Sequence, residues 1–176
     1  MGKIHYREIQ RFSSPWVWIL VITVLAASLA PTLTGLYRLV VLNKPFGRDP
    51  LSGNALLLII AVQLVLYVLI VVLLKKMKLI TEVKDDGFYY RYPPFINKVK
   101  RIGKEEIEKY GVRTYKPVRE YGGWGVRQGI GKAGTAFNVS GKTGLQFVLK
   151  TGKKILFGTQ RGNALQRAMD KMMNGE

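Results

Sequence analysis

The stretch that decides the architecture is Ala55–Leu74, which reads ALLLIIAVQLVLYVLIVVLL. It contains no charged residue, no Gly and no Pro, and Gln63 is its only strongly polar member. At about 1.5 Å of rise per residue, a helix of this length spans roughly 30 Å, the thickness of the hydrocarbon core of a bilayer. The stretch therefore predicts a transmembrane helix over about residues 54–74, and with it an integral membrane protein.

A second apolar run precedes this stretch and is less apolar. No charge occurs between Arg11 and Arg38, so the run predicts a first transmembrane helix over about residues 15–37. Trp16 lies where the aromatic belt of a membrane interface is expected. Several Ser, Thr and Gly residues in the run favour close packing against the second helix, and Pro31 is expected to kink or interrupt the first one.

The same N-terminal run allows another interpretation. A basic start, an apolar middle and the small-residue site Ser28-Leu29-Ala30 are typical of a cleavable signal peptide. Pro31 directly follows that site, and the apolar character continues to Leu42. Both features argue against cleavage and favour a retained helix.

Basic residues cluster on the two outer flanks of the helix pair, at Lys3, Arg7 and Arg11 before it and at Lys75, Lys76 and Lys78 after it. Because Lys and Arg mark the cytoplasmic side of membrane proteins, both termini are predicted to be cytoplasmic. The connection over residues 43–53 contains two Pro and two Gly and predicts a loop. Lys44 and Arg48 in this loop reduce the difference in positive charge between the loop and the outer flanks of the helix pair.

Composition narrows the possible chemistry. The chain has 28 Lys and Arg against 11 Asp and Glu, a net charge of +17. From Lys75 onward there are 22 basic and 9 acidic residues, hence a net charge of +13. Such a surplus attracts anionic lipid, nucleic acid or an acidic protein, although the positive-inside bias alone produces part of it. Cys is absent and His5 is the only His, so disulfides are excluded and no metal or other cofactor is expected.

The pattern changes after Lys78 from long apolar runs to short alternating ones. Asp85-Asp86-Gly87 and Thr151-Gly152 are hairpin-turn signals, and an apolar stripe over residues 163–173 predicts a closing helix. The strand candidates are residues 79–83, 88–92, 95–102, 107–115, 124–130, 135–139, 145–150 and 153–158. The sequence thus predicts an N-terminal part, 1–78, with the helical hairpin, and a domain, 79–176, of about seven strands in a barrel or sandwich capped by the helix.

Three segments carry a resemblance to a known group. They are Tyr121–Arg127 (YGGWGVR), Ala136–Gly141 (AFNVSG) and Gly158–Gln160 (GTQ). With the two preceding helices, they resemble uncharacterised bacterial membrane proteins whose soluble part is similar to a bacterial pleckstrin-homology-like (PH-like) domain. The resemblance implies a barrel of seven strands closed by the C-terminal helix, and a location in the bacterial cytoplasmic membrane. It implies no activity.

Motifs that would indicate an enzyme lack their required context. Residues 129–134 form a literal GxGxxG, but a strand pattern follows instead of a helix. Gly141-Lys142-Thr143 is likewise followed by a strand pattern, so a turn is expected in place of a phosphate-binding loop. An enzyme acting on a lipid or cell-wall precursor would need a pocket built from carboxylates, and no spacing assembles one from the candidates Asp85, Asp86, Glu105, Glu106 and Glu120.

Two sets of residues are candidates for binding. Tyr121, Trp124 and Arg127 could form a recognition surface, since Trp and Arg dominate interfaces, although a Trp that fills the core is the favoured interpretation. The candidate contacts to anionic lipid are Lys75, Lys76, Lys78, Lys150, Lys153 and Lys154.

The hypothesis drawn from these features is a membrane-tethered module, without enzymatic activity, that binds or scaffolds a partner at the inner leaflet. The expected partners are the bilayer itself, anionic head groups, and a second copy or another membrane protein. The alternative is a structural subunit of a larger membrane assembly. Nucleic acid is not expected, because no binding motif accompanies the charge.

Overall fold

The computed structural model describes residues 3–12, 15–45, 47 and 51–175. The chain forms two structural units: residues 14–74, here called the helical unit, and residues 1–13 together with 75–176, here called the β unit. The sequence predicts the first residues as a flank of the helices. The structure differs there, since it places them with the C-terminal part of the chain.

The helical unit contains two long apolar helices, as predicted. Helix α1 is Pro15–Val40, and α2 is Gly53–Lys76, whose last two residues belong to the β unit. Helix α1 continues through Pro31 without the expected interruption, because one Pro removes only one hydrogen-bond donor from a long helix. The predicted loop over residues 43–53 falls partly outside the described residues, Arg48 included.

A few polar contacts join the two helices. The Nε2 atom of Gln63 donates a hydrogen bond to the backbone oxygen of Ser28 over 3.1 Å. The hydroxyls of Ser28 and Tyr67 are also hydrogen-bonded to each other. The only strongly polar residue of the stretch Ala55–Leu74 therefore contacts the first helix, in accord with the packing expected from the small and hydroxyl-bearing residues of α1.

The β unit is built from nine strands among the described residues, in two sheets. The strands are β1 (Ile4–Arg11), β2 (Lys78–Lys84), β3 (Gly87–Tyr92), β4 (Ile96–Gly103), β5 (Ile107–Thr114), β6 (Gly125–Gln128), β7 (Thr135–Asn138), β8 (Thr143–Leu149) and β9 (Lys154–Gly158). The first sheet has the order β1-β2-β3-β4, and the second has the order β5-β8-β9-β7-β6. All neighbours are antiparallel except β7 and β9.

Strand β1 is the element that sequence analysis missed. It pairs with β2, so that Ile9 lies opposite Ile80 and Arg11 opposite Lys78. Its side chains alternate between buried and exposed, but two of the three buried ones, Glu8 and Gln10, are strongly polar. A strand whose inward face is polar shows no alternation of apolar residues, which is the signal that identifies half-buried strands.

Buried hydrogen bonds attach β1 to the rest of the β unit. The carboxylate of Glu8 accepts bonds from Tyr6 Oη at 2.5 Å, Thr159 Oγ1 at 2.8 Å and the Gln160 backbone N–H at 2.9 Å. Burial, together with the carboxylate of Glu8, raises the pKa of Tyr6 to about 12. Because each buried donor or acceptor would cost free energy if left unpaired, these contacts hold β1 against the start of the last helix.

The two sheets face each other across an aromatic core. Phe88 of the first sheet lies 5.0 Å from Phe147 and 4.7 Å from Phe157 of the second, measured between ring centroids. Helix α4 (Gly162–Asn174) covers this core with the predicted apolar stripe of Leu165, Ala168, Met169 and Met172, all buried. The described strands form two separate sheets and do not close into one barrel.

The turn predictions are confirmed, with one addition. Asp85 and Asp86 connect β2 to β3, and Gly152, with a φ of +78°, lies in the turn between β8 and β9. Residues 129–134 connect the antiparallel strands β6 and β7, so a strand follows the GxGxxG pattern, as predicted. The connection between β5 and β6 contains a short helix, α3 (Pro117–Tyr121), because Pro at its first position preorganises the turn.

Candidate functional site

The two chain segments that connect to the helical unit leave the β unit at one point. Arg11, the last residue of β1, lies opposite Lys78, the first residue of β2. The backbone N–H of Phe12 donates a hydrogen bond to the Met77 oxygen over 3.4 Å. The chain therefore departs toward α1 and returns from α2 at the same end of the first sheet.

The turn between β3 and β4 lies at this same end. The backbone N–H of Lys78 donates a hydrogen bond to the oxygen of Pro93 over 3.3 Å. Pro93 and Pro94 are joined by a cis peptide bond. Their position brings the apolar turn against the basic residues at the start of β2.

These segments enclose a cavity of about 510 Å³, here called the basic cavity. Its lining residues are Arg11, Lys75, Lys76, Lys78, Pro93, Pro94 and Asn97. Four of the seven are cationic, and no acidic residue is among the described residues that line it. All seven belong to the β unit.

The cations of the basic cavity are not neutralised within the described part of the chain. The ion pairs found there involve other basic residues: His5, Arg7, Lys84, Arg101 and Arg113. Like charges that converge without a counter-charge favour an anion between them. An Arg fork beside Lys ammonium groups is the donor set that recognises phosphate oxygens.

The structure divides the six predicted lipid-contacting lysines into two groups. Lys75, Lys76 and Lys78 line the basic cavity. Lys150, Lys153 and Lys154 are exposed around the turn between β8 and β9, and none of them lines it. Arg11 completes the first group and was overlooked as a site residue, because its contribution depends on the pairing of β1 with β2.

The predicted recognition surface is only partly exposed. Tyr121 has 2% of its surface exposed, packs against Tyr115 at 5.9 Å between ring centroids, and donates its hydroxyl to the Ala133 oxygen at 3.2 Å. Trp124 is half-buried, and its Nε1 donates to the Gly141 oxygen over 3.2 Å. Arg127 is exposed and donates to the oxygen of Trp124. Tyr121 is therefore a core residue, and only the other two offer a surface.

The carboxylates considered for an enzyme contact basic, hydroxyl or backbone N–H groups in different parts of the β unit, except that Asp86 and Glu105 share Arg101, at 3.4 and 3.2 Å. Asp85 accepts hydrogen bonds from the Lys3 backbone N–H at 2.7 Å and lies 2.6 Å from His5 Nε2, and these contacts hold its pKa below the ordinary value. The hydroxyl of Tyr89 lowers the pKa of Asp86 in the same way. No group of acidic, His or Cys residues among those described could hold a metal ion.

The ion pair between Arg113 and Glu120 stabilises the segment that carries α3. Arg113 Nη2 lies 2.7 Å from Glu120 Oε2 and also donates to Gln146. The Arg113 guanidinium holds the pKa of Glu120 below its ordinary value, and the backbone N–H of Lys116 acts in the same direction. These contacts connect the segment to Gln146 of β8 in the second sheet.

Comparison with known proteins places the chain in a family. Residues 2–171 match the model of a family of unknown function (DUF6141). The chain belongs to this family. No curated protein and no solved structure shows significant similarity to it. The basic cavity is the feature of the described residues that bears most directly on function.

Proposed function

We propose that the protein is an integral membrane protein whose β unit lies at the cytoplasmic surface and binds anionic lipid head groups in the basic cavity. The observation that carries this proposal is the convergence of Arg11, Lys75, Lys76 and Lys78 directly after the apolar run that ends at Leu74. The role is that of a tethered binding or scaffold module without enzymatic activity.

Exposure of the helices supports membrane insertion. Both helices are long and apolar enough to cross a bilayer, and only 6% of the most apolar window of each is buried. A core helix of a water-soluble protein would be largely buried, and a monomer in water rarely exposes so large an apolar surface. Lipid is the solvent in which such side chains are stable.

Strand pairing supports a hairpin that crosses the bilayer twice. Since β1 and β2 are neighbours in one sheet, the segments before α1 and after α2 lie in the same compartment. Two crossings satisfy this requirement and one crossing does not. The positive flanks then favour the cytoplasmic side for the whole β unit.

The C-terminal helix supports the PH-like assignment that the sequence resemblance suggests, since α4 follows the last strand of the β unit. The resemblance implies seven strands in a closed barrel, whereas the described residues form nine strands in two sheets. Fold alone names no ligand, so the ligand is argued from the cavity's charge.

Lipid binding is tested with two variants that remove the same charge. The full chain in mild detergent is incubated with phosphatidylglycerol or phosphatidylcholine, and bound lipid is counted by native mass spectrometry. The first variant is K75Q/K76Q/K78Q, and the control is K150Q/K153Q/K154Q. Each interfacial cation contributes about 1 kcal/mol toward an anionic lipid, so we expect the first variant to bind phosphatidylglycerol at least ~10-fold more weakly.

The control variant should stay within about twofold of the wild type, since its lysines lie outside the cavity. Equal losses in both variants would show that net charge, and not the basic cavity, attracts the lipid. Binding that does not distinguish the two lipids would refute the lipid proposal. A co-purifying membrane protein in that second case would favour the alternative, a subunit of a larger assembly.

Orientation is tested by labelling single cysteines, since the chain has none of its own. Thr151→Cys lies in the exposed turn between β8 and β9, and Lys44→Cys lies after α1. A membrane-impermeant maleimide should label position 151 in inverted vesicles only and position 44 in intact spheroplasts only. Labelling of both positions from one side would show that the helices do not form a spanning hairpin.

A further inference from the structure

An exposed aromatic side chain lies at the tip of the β3–β4 turn. Phe95 has 57% of its surface exposed, although its ring centroid lies 6.2 Å from that of Tyr92, which is fully buried. The proposed binding of head groups in the basic cavity does not use Phe95, which does not line that cavity. Its exposure therefore calls for another explanation.

The turn that carries Phe95 is held in place from both sides. Pro93 accepts the hydrogen bond from the Lys78 backbone N–H. On the preceding residue, the hydroxyl of Tyr92 donates to the Asn138 oxygen over 3.0 Å. Pro93 and Pro94 also restrict the backbone. Phe95 is thus presented on a fixed turn, at the same end of the sheet as the two connections to the helices.

Charge around the turn indicates what Phe95 contacts. Residues 92–97 read YPPFIN and contain no charge, whereas Arg91 and Lys98 flank them on either side. The four cations of the basic cavity adjoin the same turn. An apolar tip surrounded by positive charge matches an anionic bilayer interface, where aromatic rings lie at head-group level and cations contact phosphates.

We propose that Phe95 inserts into the interfacial region of the cytoplasmic leaflet and is a third membrane contact of the β unit. The proposal rests on the proposed function, since it requires that α1 and α2 span the bilayer. The segments that lead into α1 and out of α2 attach the β unit to the membrane at only one point. A third contact on the β3–β4 turn fixes which end of the sheets faces the lipid, and so keeps the basic cavity at the head groups.

The test measures the depth of position 95 in a bilayer. The Phe95→Cys variant of the full chain is labelled with the environment-sensitive dye NBD and reconstituted into nanodiscs of phosphatidylcholine with phosphatidylglycerol. The matched control is Ile130→Cys, on the loop between β6 and β7, where the native side chain is 69% exposed. Both native side chains are exposed and apolar. Their replacement by a labelled Cys should therefore disturb the fold little, and the comparison reports how deep each position lies in the bilayer.

We expect the dye at position 95 to emit at shorter wavelength, to be quenched by lipids that carry a spin label near the head group, and to resist aqueous iodide. The dye at position 130 should show the opposite behaviour. Equal iodide quenching at the two positions would overturn the inference. If phosphatidylglycerol still binds the basic cavity in that case, the proposed function survives without it.

A second measurement does not depend on the dye. Hydrogen exchange of the backbone amides of residues 95–97 in nanodiscs should be several-fold slower in the wild type than in Phe95→Ser, whereas Phe95→Leu should retain the protection. The control is Ile130→Ser in nanodiscs, which removes an exposed apolar side chain elsewhere on the β unit. It should leave the exchange of residues 95–97 unchanged. Equal exchange of these residues in all variants would also overturn the inference.

Discussion

The two units of this protein place their side chains in opposite ways. In the helical unit apolar side chains point outward: Leu58, for example, has 66% of its surface exposed, whereas Gln63 contacts the neighbouring helix. In the β unit, Phe157 has no exposed surface, and charged residues such as Lys153 are exposed. Apolar side chains are therefore exposed in the helical unit and buried in the β unit.

Under the proposed function, the contrast teaches that the two units are adapted to two solvents, water and lipid. Burial of apolar surface stabilises the β unit at about 25 cal/mol per Å² removed from water. Lipid offers no such gain between helices, so a membrane-inserted helical unit depends on close packing and a few polar contacts. The same kind of substitution should therefore have different effects in the two units. Two pairs of variants examine this difference, and a third pair tests an ion pair within the β unit.

The largest difference is expected for apolar side chains. Phe157 contacts the rings of Phe88, Tyr90, Phe137 and Phe147 at centroid distances of 4.7–5.8 Å. Phe157→Ala should lower the free energy of unfolding by about 3–5 kcal/mol. Leu58→Ala, which removes an outward side chain of α2, should change it by less than about 1 kcal/mol. Thermal unfolding of the full chain in detergent, followed by near-ultraviolet circular dichroism, measures both; equal effects would remove the distinction between the units.

A smaller difference is expected for two glutamines in matched settings. Gln10 Nε2 donates to the Gly158 oxygen at 2.6 Å, and Gln63 Nε2 donates to the Ser28 oxygen at 3.1 Å. The Oε1 atom of each is buried without a partner. Gln10→Leu should destabilise β1 and β9 by about 1–3 kcal/mol, because a buried carbonyl loses its donor. Gln63→Leu should lower the stability of the α1–α2 pair by only about 0.6 kcal/mol or less.

Hydrogen exchange resolved by peptide distinguishes these outcomes, since it reports each strand and helix separately. Faster exchange in β1 of the Gln10 variant, with unchanged exchange in both helices, is the expected pattern. A larger effect of Gln63→Leu than of Gln10→Leu would mean that polar contacts stabilise the helical unit more than the β unit.

The smallest effect concerns a surface ion pair of the β unit and its dependence on pH. The folded-state pKa of Glu120 lies below its ordinary value of 4.5, chiefly because Arg113 donates to its carboxylate. The unfolded chain therefore binds the proton more tightly, so this pair stabilises the fold above about pH 4.5 and ceases to do so as pH falls through the folded-state pKa.

Glu120→Gln should accordingly reduce stability at pH 7 by about 0.2–1 kcal/mol, a range that allows for solvent screening. The difference from the wild type should be smaller at about pH 2 than at pH 7, because protonation of Glu120 removes its contribution as the pH falls through the folded-state pKa. The control is Glu108→Gln, whose side chain is exposed. Denaturant titrations at both pH values measure the two variants. A difference that is as large at low pH as at pH 7 would show that the substitution of Glu120 disturbs the segment by some route other than charge.

Local sequence patterns identified most elements correctly. The uncharged stretch at Ala55–Leu74 could be recognised as a helix because its length and composition alone match a bilayer. The turns at 85–87 and 151–152 were recognisable because turn residues act over two or three positions. The stripe of α4 was recognisable because helical spacing repeats every three or four residues.

Sequence patterns failed where a residue's role depends on distant partners. The polar inward face of β1 becomes plausible only when Thr159 and Gln160 supply donors for Glu8. Tyr121 was a candidate for the recognition surface, but in the structure it packs against Tyr115 and donates its hydroxyl to the Ala133 oxygen. The basic cavity combines residues near 11, 75 and 93, and pairing of β1 with β2 is what brings the first two together.

The sequence by itself determined two apolar helices, a strand-rich remainder, its turns and a positive charge, because each of these follows from neighbouring residues and their hydration. Only the tertiary structure decided that β1 joins the first sheet, that the sheets remain separate, and that Arg11 meets Lys75, Lys76 and Lys78. The physical reason is that these outcomes depend on hydrogen bonds and packing between residues far apart in the chain, which no local period encodes.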